Sequence, residues 1–349
     1  MGLATHREVQ IINPLHYHQW DDLVLSTKGY SFFHSAGWCR VLTDTYKYTP
    51  LYFALIDNDK LSTLMPLMEI DSLLTGLRGV SLPFSDYCEP IINEHTRPQA
   101  VIDRVISYGE SAGWKYIDFR DGKLFQDLPA SKTYYVHVLD LAQNEEQLFS
   151  GFRGSTKRNI KKATRHGIKV EICHSLRSVV EFYKLNCLTR KKHGLPPQPF
   201  KFFKKIHAHL ISNNMGFVVL ASYKNKRVAG AVYFYYGEKA IYKYGASNTS
   251  YQHLRANNLV MWEAIKWFSE NRYKTLSLGR TDPENTGLRQ FKNGWGAKEE
   301  VLRYHKYDLL KKHFVADTNS MCGFYNKVFS RMPIALLKAA GNLLYRHIG

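Results

Sequence analysis

The sequence predicts an α/β fold built as two similar domains with mixed central sheets. Three observations carry this. Short apolar runs with strand-like alternation take turns with segments of helical length and period, the pattern of α/β chains. The order repeats: helices, a β-hairpin, a further strand, a helix of about fifteen residues, then a strand ending at a loop, over 43–119 and again over 209–278. The 349 residues are 44% hydrophobic, enough core for about two domains. The expected division is a first domain over 1–143, a second over 144–312, and a helical tail over 313–349.

In chain order, 15–25 reads as a short helix, and Ser35 is placed to cap a second over 38–46 that begins at Trp38. Residues 51–56 and 61–70 form a hairpin turning at Asp57-Asn58-Asp59. A strand over 80–84 runs into Ser85-Asp86-Tyr87-Cys88-Glu89-Pro90, where Asp86 and Tyr87 mark either a pocket edge or a solvated turn. A helix over 98–112 ends at Gly113. The strand after it, 115–120, carries Asp118, which must be paired or functional because burying a lone carboxylate is costly. Another strand covers 133–139.

From 152 to 167 the chain reads as one helix, capped by Ser155 or Thr156 and stopped by Gly167. Between Arg153 and Lys169 stand seven Lys or Arg and no acid. That is either a solvated linker helix or an anion site, with Arg158, Lys161 and Lys162 as ligands. A strand (169–173), two helices (176–192 and 200–212) parted by Pro196-Pro197-Gln198-Pro199, a hairpin (216–223 and 227–236), a tyrosine-rich strand (239–245) and a long helix (254–269) follow.

The most informative stretch is 276–307. A strand stops at Gly279, a polar loop over 280–286 follows, and then Gly287-Leu288-Arg289-Gln290-Phe291-Lys292-Asn293-Gly294-Trp295-Gly296 reads as one or two helical turns before a strand over 299–307. Glycines on both sides of Trp295 require φ > 0 or a close approach. Phe291 is expected to face the core, and Lys292 the other way.

The net charge of +18 predicts an anionic partner: nucleic acid, an acidic membrane surface or a phosphate-bearing substrate. Five widely spaced cysteines without a C-x-x-C fit a reducing compartment, and the fifteen histidines show no metal-binding pattern. The first residues carry no secretory signal, and His6 breaks the myristoylation pattern. The location expected is cytoplasmic or peripheral on the inner membrane face. In the tail, Ile334, Leu337, Gly341 and Leu344 fall at helical spacing among Arg331, Lys338, Arg346 and His347. Such a helix either lies on an anionic membrane surface or packs back on the second domain.

Four segments, in order, carry a family resemblance: Phe33-His34-Ser35-Ala36-Gly37-Trp38, Arg158-Asn159-Ile160-Lys161-Lys162-Ala163, Tyr242-Lys243-Tyr244-Gly245-Ala246-Ser247, and Phe291-Lys292-Asn293-Gly294-Trp295-Gly296. With them the chain resembles the Fem family, tandem GNAT-fold aminoacyl transferases that build peptidoglycan bridges, and their relatives encoded with exopolysaccharide genes. The resemblance implies two tandem GNAT-like domains. It also implies amide formation on an amine of a phosphate-bearing cell-envelope precursor, with Lys292 at the acyl-transfer centre. No bound cofactor is implied; the co-substrate is aminoacyl-tRNA or acyl-CoA. The position of the GNAT pyrophosphate loop reads His253-Leu254-Arg255-Ala256-Asn257 without glycine, which favours tRNA. The site expected from this has Lys292 and Asp118 as catalytic residues. Trp38, Asp86, Tyr87, Arg158, Lys161, Lys162, Tyr242, Tyr244, Arg280 and Phe291 are expected to bind substrate. The competing readings are a CoA-dependent N-acyltransferase acting on an amino sugar and a non-catalytic anion-binding pair.

Overall fold

A computed structural model describes residues 8–93, 98–120, 124–316 and 322–349, with backbone alone for 322–325. The chain begins with β1 (Gln10–Ile12), α1 (Trp20–Leu25), α2 (Ala36–Tyr46), β2 (Thr49–Asp57), β3 (Lys60–Ile70), β4 (Arg78–Val80), β5 (Ile91–Ile92), α3 (Gln99–Ala112), β6 (Tyr116–Phe119) and β7 (Lys132–Asp140). It continues through α4 (Glu145–Gly151), α5 (Gly154–Arg165), β8 (Lys169–Cys173), α6 (Leu176–Lys192), α7 (Phe200–His209), β9 (Gly216–Tyr223), β10 (Lys226–Tyr236), β11 (Lys239–Ser247) and α8 (Ala256–Glu270). Last come β12 (Thr275–Thr281), α9 (Thr286–Asn293), β13 (Lys298–Asp308), β14 (His313–Val315), α10 (Cys322–Arg331) and α11 (Ile334–Ile348).

Two compact units result, but not at the expected boundaries. The first comprises 1–133, 302–318 and 346–349, and the second 134–301 and 319–345. The reason is strand pairing: β7 joins the second unit's sheet beside β12, and the later part of β13 joins the first unit's sheet beside β6. Local sequence does not reveal such distant partners.

In the first unit the strands run β1-β2-β3-β4-β6-β13, with β5 also on β3 and β14 on β13. The β2–β3 hairpin turns at Asn58 and Asp59, both left-handed, as a tight hairpin demands. β4 is antiparallel to β3, and α3 carries the chain across to β6, parallel to β4. Phe53, Val105, Trp114, Ile117 and Phe119 form the core beneath α3. Ser35 caps α2 as expected, accepting from the Trp38 amide at 3.2 Å. The expected strand over 80–84 ends at Val80, because Leu82 and Phe84 have φ of 49° and 59°, incompatible with extended chain. The expected helix over 15–25 is only α1.

The second unit repeats this plan in the order β8-β9-β10-β11-β12-β7. The β9–β10 hairpin leads to antiparallel β11, and α8 crosses to parallel β12. Its core is Phe217, Val219, Tyr233, Ile265, Phe268 and Leu276. The helix expected over 152–167 is α5, and a separate helix, α4, precedes it. Phe152, at ψ 149°, breaks them, and the cap of α5 is Arg153, with neither Ser155 nor Thr156 capping. Gly167 ends that turn at φ 72°.

Among the described residues no helix is long and apolar enough to cross a membrane. Within the second unit α11 buries Leu337, Gly341 and Tyr345. Tyr345 Oη donates to the Pro196 carbonyl (3.1 Å) and accepts from Arg190 (2.7 Å). The packed reading of the tail therefore describes this face. A Cβ on Gly341 would lie 2.0 Å from the Pro197 carbonyl oxygen. Gly341→Val is expected to lift α11 from that seat, costing ~1–3 kcal/mol as overpacking does. Urea unfolding and earlier tryptic cleavage near Lys338 will measure it.

Candidate functional site

Parallel pairing of β11 with β12 covers only Lys239↔Thr275, Ala240↔Leu276 and Ile241↔Ser277, although both strands continue. Beyond that point the two splay. Such openings at the carboxyl ends of parallel strands are where α/β sheets bind ligands. Gly279, at φ 71°, turns in the splayed part of β12. Lys292 is only 2% exposed, and its ammonium donates to the carbonyls of Gly279 (2.8 Å) and Arg280 (2.9 Å). The expected orientation of α9 is thus reversed. Lys292 is the inward residue, because two strand carbonyls need a donor there. Phe291 is half-buried, edge-on to Trp295, and lines a small cavity.

The two glycines do what was expected of them, in different ways. Gly296 has φ 72°. Gly294 is right-handed, but a Cβ there would lie 2.5 Å from Thr156 Oγ1, so it permits close packing of the α9 end against α5. Its carbonyl accepts from the Arg153 amide at 3.0 Å.

Around Lys292 stands a charged frame that the sequence reading missed. Glu299 accepts two hydrogen bonds from Arg289 (2.7 and 2.6 Å), one from Asn293 (3.1 Å), and lies 3.0 Å from His137 Nε2. The Arg289 guanidinium, helped by Asn293 and His137, holds the Glu299 carboxyl down at about 2. Arg289 also lies flat over Tyr135, 3.9 Å from the ring centre. His137 is fully buried, and its Nδ1 has no hydrogen-bond partner. Burial, then the nearby Lys292 charge, lowers its pKa. The available signal was alternation: Tyr135, His137 and Leu139 share one face of a strand, with the polar histidine between apolar neighbours.

At the N-terminus of α8, Arg255 takes the left-handed conformation (φ 61°) that glycine would usually supply, and no side chain caps the helix. A cavity of about 120 Å³ opens there, lined by Gln252, Arg255, Asn257, Asn258 and Phe291 among others. A second, of about 530 Å³, lies between Gly151, Arg153, Thr286, Arg289, Gln290 and Asn293. Beside it, Arg158 and Lys161 are exposed and Lys162 is half-buried. Arg280 stacks over Tyr134, 4.5 Å from the ring centre.

The two tyrosines expected in one cleft are separated by a β-bulge. Val232 pairs with Tyr244 and Tyr233 with Tyr242, skipping Lys243. Residues two apart would share a face in a regular strand; the extra residue breaks that rule. Tyr242 packs on Tyr233 with its hydroxyl against Gly245, and burial lifts its pKa to about 12. Tyr244 packs on Phe203 of α7.

In the first unit, Trp38 is fully buried against Phe32 and Phe33, so it is core and not a substrate contact. His34 of the same motif is structural, bonding Ser31 and the Glu89 carbonyl. Asp86 and Tyr87 are half-buried in the loop after β4. Arg120 holds that loop through the carbonyls of Leu82 (3.1 Å) and Ser85 (3.2 Å), and the Asp86 carbonyl accepts from Tyr304 Oη at 2.6 Å. Asp118 is half-buried amid Lys306, Arg120, Arg78 and Lys132. Desolvation outweighs those cations, and its pKa is raised. Among the described residues no group of His, Cys, Asp and Glu is arranged to hold a metal.

With this geometry in place, comparison with known proteins identifies the fold. Residues 150–293 match the family described as an acetyltransferase (GNAT) domain. The structure is similar to a crystal structure of FemX, with a TM-score of 0.66 at 13% identity, covering 84% of this chain and 96% of that one. The chain folds as GNAT-type units in tandem. In sequence it is 27% identical over 154 residues to a UDP-N-acetylmuramoylpentapeptide-lysine N(6)-alanyltransferase of Weissella viridescens, covering 43% of this chain and 44% of that protein. It is 35% identical over 75 residues to a lipid II:glycine glycyltransferase of Staphylococcus haemolyticus, covering 20% and 18%. The matches thus span less than half of either relative's length. Both relatives are Fem-type transferases, as the four motifs implied.

His137 binds a proton more weakly folded than unfolded, so the unfolded chain takes up the extra proton as pH falls. Its contribution to stability is complete above the ordinary imidazole pKa of about 6.5 and is lost below it. The urea midpoint is expected to be lower at about pH 5.5 than at about pH 7.5. His193 and His347 are lowered as well and share in that slope. His137→Gln, which does not titrate, should flatten the pH dependence.

Proposed function

We propose that this Fem-like, tandem-GNAT chain transfers an acyl or aminoacyl group to an amine of a cell-envelope precursor, forming an amide. The observation that carries this is Lys292, a buried ammonium held by two carbonyls of β12 beside Gly279. The activities by which the two relatives are named, alanyl and glycyl transfer, support the reaction class.

In the reaction the acceptor amine, as the neutral base, attacks the carbonyl carbon of an activated ester. The new C–N bond forms as the C=O electrons collect on oxygen. That oxyanion collapses, the ester C–O bond breaks, and the alcohol leaves with a proton. Lys292 supplies the positive potential for the oxyanion, and the carbonyls of Gly279 and Arg280 keep its ammonium from swinging away. Its contribution is electrostatic and needs no covalent enzyme intermediate. The proton that the amine gives up balances the one that the alcohol carries away; Asp118, in the first unit, is a candidate base on its own account, because burial raises its pKa above that of an ordinary carboxylate. Arg280, stacked on Tyr134, has a fixed guanidinium for a substrate anion.

Aminoacyl-tRNA is the proposed donor. A CoA diphosphate favours a glycine-rich turn whose amides it can approach closely, and the start of α8 carries Arg255, Asn257 and Asn258 in place of glycine. A net charge of +18 suits a polyanion. The amides at the start of α5, uncapped by any side chain, together with Arg153, Arg158 and Lys161, offer contacts to its phosphates. The CoA-dependent reading retains one favourable observation: Asn258, nine-tenths buried, faces the cavity at the start of α8.

The deciding experiment is thermal. A saturating donor should raise Tm by the equivalent of ~2.7 kcal/mol at a hundredfold excess over Kd. A rise with alanyl- or glycyl-tRNA and none with acetyl-CoA supports the proposal; the reverse selects the CoA reading. Lys292→Met should lower kcat by ~10²–10³-fold while the circular dichroism is unchanged. Turnover at the parental rate would remove Lys292 from the chemistry. Arg158→Gln with Lys161→Gln should weaken donor binding and reduce the slope of log K against log salt by ~1–2. An unchanged slope would leave α5 as a solvated helix.

A further inference from the structure

One end of the first unit's sheet gathers three exposed leucines. β4 and β6 begin there and antiparallel β13 ends there, with the register joined by Lys115 N to the Leu77 carbonyl (2.9 Å) and Leu309 N to the Lys115 carbonyl (3.1 Å). The turn before β4 presents Leu73, 98% exposed, and Leu74, 67% exposed; the turn after β13 presents Leu310, 85% exposed. A single exposed leucine is ordinary, but three on adjacent turns of one sheet end form an apolar surface.

Both turns are built to hold these side chains outward. Ser72 Oγ accepts from the amides of Leu74 (3.2 Å) and Thr75 (3.0 Å), and Gly76 closes the turn at φ 80°. The end of α11 pins it further: Ser72 Oγ lies 2.9 Å from His347 Nδ1, and Thr75 Oγ1 donates to the His347 carbonyl at 3.1 Å. In the other turn, the Asp308 carboxylate accepts from the amides of Leu310 and Lys311, both at 3.0 Å, while Leu309 stays in the core. Ile348, 58% exposed, lies one residue beyond the pinned His347.

Charge surrounds the tips. Lys115, Lys311, Lys312 and Arg346 are exposed at this end. Of the acids, Asp308 is occupied by turn amides, Glu110 pairs with Lys312 at 3.1 Å, and Asp71 is exposed. We propose that the Leu73-Leu74 and Leu310 turns of the first unit are a docking surface for an anionic lipid bilayer. Convex leucine tips suit a soft interface. Their lysine and arginine neighbours have long stems whose cationic ends reach lipid phosphates while the leucines enter the acyl boundary. On α11, by contrast, Leu337, Gly341 and Tyr345 are committed to protein packing, while Leu336 and Leu343 are exposed. The docking surface does not rest on the acyl-transfer reading.

The test uses the full chain and vesicles of phosphatidylcholine containing about 30 mol% phosphatidylglycerol, at low salt. The parent should co-sediment, and Leu73→Ser/Leu74→Ser/Leu310→Ser should partition at least about tenfold less with an unchanged melting temperature. Lys115→Gln/Lys311→Gln should weaken binding and its salt dependence. Equal partitioning of parent and leucine variant overturns the proposal, as does no binding by the parent or equal binding to pure phosphatidylcholine. So does sedimentation velocity showing that the leucines instead hold two copies together.

Discussion

The second unit's site depends on one buried charge and the two carbonyls that hold it. The pairing of β12 with β7 shifts register around Gly279, and buried carbonyls in an irregular strand need a donor. Lys292 supplies one from α9 at 2.8 and 2.9 Å. Burying an ammonium is itself expensive unless it is hydrogen-bonded, so carbonyls and lysine each offset the other's cost. The arrangement in turn fixes α9. Gly294 must then pass close to Thr156, which only a residue without Cβ does comfortably, and Trp295 drops into the core against Phe152. The buried lysine, the short helix and the glycine–tryptophan–glycine run form one packed arrangement.

The frame of Glu299, Arg289, Asn293 and His137 works at longer range. Arg289, through its two hydrogen bonds, holds the Glu299 carboxyl down at about 2. That carboxyl stands between the histidine and the guanidinium, and it ties the start of β13 to α9 and β7. A charged His137 would add a second buried cation near Lys292. Burial and that lysine lower its pKa, against the pull of Glu299. The electrostatic character of the site is therefore set by residues on three elements, only one of which carries a recognisable motif.

Much of the fold was legible because its signals are local. Ser35 caps α2, Asn58-Asp59 and Lys224-Asn225 turn their hairpins with left-handed backbone, and Gly113 and Gly167 end their helices. α6 begins and ends where its periodicity begins and ends. The misreadings share a different cause. Trp38 belongs to a motif but is held by Phe32 and Phe33 in the core. Tyr242 and Tyr244 have the spacing of one face, and a bulge at Lys243 places them on two. The unit boundaries follow β7 and β13 to partners more than a hundred residues away. In α9 the apolar residue was assigned inward by composition, whereas unpaired carbonyls, invisible in sequence, claimed the lysine.

The duplicated plan explains why the two units need not do the same work. Each has a hairpin, an antiparallel third strand, a crossover helix and a parallel fourth strand. In the second unit a cationic side chain of α9 holds the carbonyls of that fourth strand. In the first the corresponding loop is tied back by Arg120 through backbone carbonyls, with Leu82 and Phe84 in left-handed conformations. Strain of that kind persists only where surrounding contacts enforce it. The neighbouring strand bears Asp118, which burial makes reluctant to ionise despite four cations around it. The same plan thus carries a buried cation in one unit and, in the other, a carboxyl that burial makes reluctant to ionise, so the two copies differ in the side chains set on a shared backbone plan rather than in the plan itself.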